Sequence, residues 1–185
     1  MQFPDVAEPW TNDVAPLDVS EMLRVLDGHG VRHVLVGGVA AIFHGYSGAT
    51  FDADIVPDLD PKNLKALAAA LLDLEARVYA DPRRRDLDAE GAPSEAADLA
   101  LGRPSTLQSH LTWYFSTRAG RLDVLQVIDG PGGYTGLASR AVSTEVAGAR
   151  LLVISLADLV ESKETAGRTK DLAALDELRR LRDER

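Results

Sequence analysis

The sequence predicts an α/β domain with a mixed sheet and a helical C-terminal end. Three observations carry this. VRHVLVGG (residues 31–38) and FDADIV (51–56) have strand character, and a short helical stretch separates them. HLTWYFST (110–117) and RLDVLQVI (121–128) flank Arg118-Ala119-Gly120 and read as a hairpin. SLADLVESKETAG (155–167) and TKDLAALDELRRLRDE (169–184) read as two closing helices.

Taken in order, residues 1–16 hold three prolines and little periodicity, which predicts an irregular arm. LDVSEMLRVLDGHG (17–30) is an amphipathic helix with Leu17, Met22, Leu23 and Leu26 on one face, stopped by Gly28 and Gly30. The strand at 31–36 ends at Gly37-Gly38, and VAAIFHGY (39–46) is a short helix. FDADIV alternates with period two, so Phe51, Ala53 and Ile55 face inward and the aspartates outward, with Pro57 ending the strand. DPKNLKALAAALLDL (60–74) is a helix with Asp60 as N-cap and Pro61 in its first turn. Residues 81–106 are polar and proline-containing and predict a loop or flap. After the hairpin, DGPGGYTGLASRA (129–141) is a glycine-rich loop with one helical turn, and STEVAGARLLVIS (143–155) gives a second hairpin or two edge strands. Ser155 and Thr169 are the candidate N-caps of the last two helices, and Gly167 divides them. This divides the chain into an arm (1–16), a core (17–154) and a helical extension packed on it (155–185).

Composition narrows the function. The net charge of −9 argues against a broad basic surface for nucleic acid, leaving local patches at Arg83–Arg85 and from Lys163 onward. There is no cysteine, which excludes disulfides and thiolate metal sites. No apolar stretch approaches the ~20 residues of a membrane span, and the N-terminus lacks signal-peptide character. A cytoplasmic protein with no membrane partner is expected. The four histidines show no metal spacing, although His44 stands close to the acidic strand. Among Trp113, Tyr114 and Phe115, strand alternation turns at least one outward.

Asp52 and Asp54 project from one strand face, roughly 6–7 Å apart. Like charges this close raise each other's pKa unless a cation lies between them. Mg²⁺ does so with one or two carboxylates plus substrate phosphates. Asp123, within the later strand, is a third carboxylate that would join the pair if the two strands are neighbours. Two metals bridging attacking and leaving oxygens suit phosphoryl transfer. At Gly37-Gly38 the backbone N–H groups can approach a phosphate closely. Ser47, Gly48 and Thr50 add hydroxyl and backbone donors nearby. Taken alone, an Asp-x-Asp is a solvated strand face and Asp123 a partner for Arg121; the glycine turn upstream and the third acid downstream turn the reading towards a site.

The order strand, Gly37-Gly38, helix, loop, Asp52-Ala53-Asp54, and then Asp123 resembles the nucleotidyltransferase superfamily of the DNA polymerase β type, over about residues 31–128. The C-terminal part is similar to the tail of small bacterial members, the AbiEii-type toxins, through Lys163, Lys170 and Asp171, with Arg168 close by. The resemblance implies a mixed-sheet nucleotidyltransferase core. It implies Asp52, Asp54 and Asp123 as catalytic metal ligands and Lys163 as a catalytic cation. Gly37, Gly38, Ser47, Thr50, Arg168, Lys170 and Asp171 would line the nucleotide. Mg²⁺ or Mn²⁺ would be the cofactor and an NTP the substrate. The acceptor would be a tRNA 3′ end or a protein hydroxyl, with an aminoglycoside-type small molecule as a further choice, and a cognate antitoxin or toxin a partner. The same fold can also serve as a non-catalytic nucleotide-binding module or an antitoxin-type partner. Val39 stands where many members carry serine, which removes one phosphate-binding hydroxyl.

Overall fold

The computed structural model describes residues 15–78, 104–146 and 148–184. Most of the expected arm and flap, with Arg83–Arg85, lies outside the described residues.

The first helix, α1 (Val19–Gly28), starts where the Asp18 carboxylate accepts the Glu21 N–H, and it buries Met22, Leu23, Val25 and Leu26. Strand β1 (His33–Val36) follows and is buried along its whole length. Helix α2 (Gly37–Phe43) begins at the glycine pair itself, so Gly37 and Gly38 form its first turn. Strand β2 (Asp52–Pro57) starts at the first aspartate. The expectation that Phe51 faces inward is therefore corrected: its side chain is 81% exposed. Alternation holds only within the ladder, and Phe51 precedes it.

Helix α3 (Pro61–Asp73) has Asp60 as N-cap, accepting the Lys62 N–H, and buries Leu64, Leu67, Ala68 and Leu71. Next come β3 (Arg77–Val78) and a short 3-10 helix, Pro104–Gln108, which replaces the loop expected at residues 104–106. Strands β4 (Thr112–Thr117) and β5 (Gly120–Leu125) form the expected hairpin. Trp113 and Phe115 are buried and Tyr114 lies on the opposite face, half-buried.

The glycine-rich segment is more ordered than expected. It holds a small hairpin, β6 (Val127–Ile128) with β7 (Gly132–Gly133), and a two-turn helix α4 (Tyr134–Arg140) whose Leu137 is fully buried. Strands β8 (Val142–Val146) and β9 (Ala149–Val153) pair as a hairpin. Of these two, β8 alone lies at an edge of the sheet, because β9 also pairs with β1.

Helices α5 (Leu156–Ala166) and α6 (Thr169–Asp183) end the described chain and pack together. Ser155 caps α5 by accepting the Asp158 N–H, and Gly167 takes a left-handed φ of 59° where α5 ends. Thr169 is the first residue of α6, not its N-cap; that position belongs to Arg168, which makes no side-chain capping bond.

The sheet is mixed α+β in character, with strand order β3-β4-β5-β2-β1-β9-β8. Strand β2 runs parallel to β5 and β1 parallel to β9, and the other pairings are antiparallel. Ala53, Ile55, Phe115, Leu122 and Val124 are buried on one face of the middle strands. The half-buried residues of β2, β4 and β5 alternate with them and face the other way. That second face carries the acids. Among the described residues no helix is long and apolar enough to cross a membrane.

Candidate active site

The parallel register of β2 with β5 sets the three acids on one face of two neighbouring strands. Asp54 is the partner of Asp123, and Asp52 is the partner of Arg121. Adjacent strands lie about 4.8 Å apart, so Asp54 and Asp123 stand side by side on one face. The row continues on both sides, with Tyr114 opposite Asp123 and Val36 opposite Asp54. Arg121 and Tyr114 were not expected at the site. Arg121 was legible as the alternating neighbour of Asp123, while Tyr114 needed the hairpin register.

The glycine pair has a local reason beyond turning the chain. Gly37 sits at φ 65°, and a Cβ there would overlap Asp54 Oδ2. A Cβ on Gly38 would overlap Thr50 Oγ1. Both glycines therefore give clearance to the strand start they face. Thr50 Oγ1 donates to Asp52 Oδ1 at 2.8 Å, fixing one carboxylate oxygen.

Ser47 is differently placed from the expectation. Its N–H and its Oγ donate to the Glu177 carboxylate of α6, each at 3.1 Å. Its donors are engaged by a helix far along the chain. Sequence held no signal for Glu177.

The C-terminal residues form a charged cluster. Lys163 Nζ donates to Asp171 Oδ1 at 3.0 Å, and Arg168 Nε lies 2.9 Å from Asp171 Oδ2. The Asp171 side chain is 6% exposed, that of Lys163 14% and that of Arg168 64%. Asp171 Oδ2 is buried and accepts no well-aligned hydrogen bond, so the Arg168 contact is Coulombic. Lys170 lies in the first turn of α6.

Asp54 and Gly37 share a small cavity with Lys163, Arg168 and Asp171; Leu125, Ile128 and Leu159 form its apolar wall. The cavity measures about 70 Å³, far below the roughly 300 Å³ and upward of typical ligand pockets. Two carboxylates, Asp54 and Asp171, and two cations, Lys163 and Arg168, line it, and a whole nucleotide would extend beyond its mouth. The acidic strand and the basic residues at and just after the end of α5 thus line one cavity.

Among the described residues no three His, Asp or Glu side chains are gathered as a metal-binding group. The acids form an open row, not a cage. Carboxylates that hold Mg²⁺ together with substrate phosphates are of this open kind, and Asp54 beside Asp123 is the adjacent pair in the row.

His44 does not line the cavity. It is buried at the end of α2, with Nε2 2.7 Å from the Ile154 carbonyl oxygen, and so ties α2 to the segment after β9. His33, at the start of β1, is buried. Burial pushes its pKa down, against the raising effects of the Val31 carbonyl and Asp27. Outside the site, burial alone would raise the Asp58 pKa. The Asp60 N–H and the Arg32 guanidinium outweigh it and hold the carboxyl below its ordinary value.

Comparison with known proteins finds no matching family model and no significantly similar curated protein.

Proposed function

We propose that this chain is a metal-dependent nucleotidyltransferase that moves a nucleoside monophosphate from an NTP to an acceptor hydroxyl, in the cytoplasm. The observation that carries this is the register setting Asp54 against Asp123, with Asp52 on the same strand. Its support is the cavity that Asp54 shares with Lys163 and Arg168.

Asp52, Asp54 and Asp123 hold Mg²⁺ or Mn²⁺, which when bound supplies positive charge to the phosphate oxygens. The backbone at Gly37 and Gly38 approaches the phosphates. Lys163 and Arg168 face the leaving pyrophosphate and offset its growing charge, with Asp171 holding both cations. Thr50 orients Asp52 through its hydroxyl. The acceptor's proton passes to the carboxylate row, for which Asp123 is a candidate. The acceptor is a tRNA 3′ end or a protein side chain, and the setting is that of a toxin with a cognate antitoxin.

A second reading is a non-catalytic nucleotide-binding module or antitoxin-type partner. The small cavity and the engagement of both cations by Asp171 favour it.

Thermal unfolding with Mg²⁺ and each NTP tests the site. A nucleotide at a hundredfold excess over its Kd adds about 2.7 kcal/mol to the folded state. At about 2–4 °C per kcal/mol for this size, the midpoint should rise by roughly 5–10 °C, and Asp54→Asn should remove the rise. No Mg²⁺-dependent rise with any NTP would sink the proposal.

A further inference from the structure

The acids of β2 and β5 share their face with a cation. Two residues from each strand make a four-cornered block: Asp52 and Asp54 on β2, Arg121 and Asp123 on β5. Neighbours across the strands are closer than neighbours along one. The strand spacing is about 4.8 Å, whereas residues two apart on one strand are separated by roughly 6–7 Å. The block therefore divides into two close pairs. Asp54 with Asp123 is a pair of like charges, and Asp52 with Arg121 is a pair of opposite charges.

The two ends of the block also differ in their surroundings. At the Asp52 end, Thr50 Oγ1 donates to Asp52 Oδ1 at 2.8 Å, so this carboxylate is served by a hydroxyl as well as standing beside a guanidinium. At the other end, Gly37 lacks the Cβ that would overlap Asp54 Oδ2, and Asp54 lines the cavity. The like-charged pair is thus the one at the cavity end. Lys163 and Arg168, which line the same cavity, are engaged by Asp171. Within the block, three carboxylates and one guanidinium leave two negative charges, the charge that one divalent cation balances.

Building on the nucleotidyltransferase reading, we infer that Arg121 is a positioning residue, the fixed counter-ion of Asp52, and that the acidic row therefore takes one divalent cation, seated on Asp54 and Asp123, before any nucleotide arrives. Arg121 supplies at the Asp52 end the positive charge that a second ion would bring in a two-ion site. Its guanidinium stays charged at any working pH, and its planar fork matches a carboxylate or a phosphate. Asp52 and Arg121 then act as a compensating pair: the affinity of the row for its ion depends on the balance between them.

The test reads ion binding, not turnover. Mn²⁺ alone is titrated into the full chain, and the free ion is followed by electron paramagnetic resonance. The wild type should take one ion per chain, and Asp54→Asn should lose it. Arg121→Gln removes a positive charge beside the site and should bind Mn²⁺ about tenfold tighter, while Arg121→Lys should stay near the wild type. Asp52→Asn leaves Arg121 unbalanced and should bind about tenfold more weakly. The double variant Asp52→Asn/Arg121→Gln keeps the net charge of the block and should return close to the wild type. Circular dichroism checks that each variant folds, and if Arg121→Gln alone does not, the double variant carries the test. Two ions on the nucleotide-free wild type would overturn the inference. So would an unchanged affinity in Arg121→Gln, a double variant as weak as Asp52→Asn, or an ion bound only when an NTP is present. Each of those results leaves the metal site of the nucleotidyltransferase reading standing. No Mn²⁺ on the wild type, with or without an NTP, defeats both.

Discussion

Gly37 and Asp54 are packed so closely that a single carbon atom added to the glycine would overlap the carboxylate. The glycine also holds φ at 65°, a conformation that costs other L-residues about 1–2 kcal/mol. The predicted outcome for Gly37→Ala is a loss of roughly 2 kcal/mol or more once the overlap is added. That corresponds to a fall in the unfolding midpoint of about 4–8 °C. Calorimetry measures it, and an unchanged midpoint would show that Asp54 moves aside without cost.

Lys163 and Asp171 form a largely buried pair at 3.0 Å. Removing one partner of such a pair typically costs about 3–5 kcal/mol, whereas replacing both with apolar residues is often neutral. Lys163→Met should therefore destabilise by about 3 kcal/mol, near the lower end because Arg168 remains beside Asp171. The double variant Lys163→Met/Asp171→Leu should be more stable than the single one. Urea unfolding of the three proteins decides this, and a double variant weaker than Lys163→Met would contradict it.

Ser47 and Glu177 join the loop before β2 to α6 with two hydrogen bonds. A double-mutant cycle with Ser47→Ala and Glu177→Ala should give a coupling energy of about 0.5–1 kcal/mol, since one of the two bonds involves the Ser47 backbone and only the hydroxyl is deleted. Zero coupling would mean that the contact is not maintained in solution.

His33 sets a pH dependence. Its pKa is lowered from 6.5 by burial, so the folded state resists protonation. Above the unfolded value both states are neutral and nothing is lost. As pH falls below about 6.5 the unfolded chain gains a proton that the folded chain does not, and stability declines towards the folded pKa. Unfolding free energies measured between about pH 7 and pH 5 should fall in the wild type and stay flatter in His33→Phe. Parallel pH profiles would rule out His33 as the source.

The middle of the sheet was legible because its physics is local. Alternation marked β2 and β4, the hairpin turn marked β5, and Asp60 and Ser155 announced their helices through side chains that do cap. Phe51 misled because the period-two pattern runs one residue past the point where pairing starts. Thr169 misled because a hydroxyl residue also fits the first turn, and the cap fell to Arg168. At the site, Asp52, Asp54 and Asp123 were readable as residue types. That Asp123 faces Asp54 is a property of strand register, which depends on partners distant in sequence. Glu177 on Ser47 and Thr50 against Gly38 are tertiary contacts with no local signature.

The central claim is that the acidic row of β2 and β5 transfers a nucleotide. The most direct measurement is label transfer from each α-labelled NTP, with Mg²⁺, to total tRNA and to a proteome extract, by the wild type and by Asp52→Ala. The account predicts label on one acceptor class with the wild type and none with Asp52→Ala. Equal label with both proteins, or none with either, would contradict it.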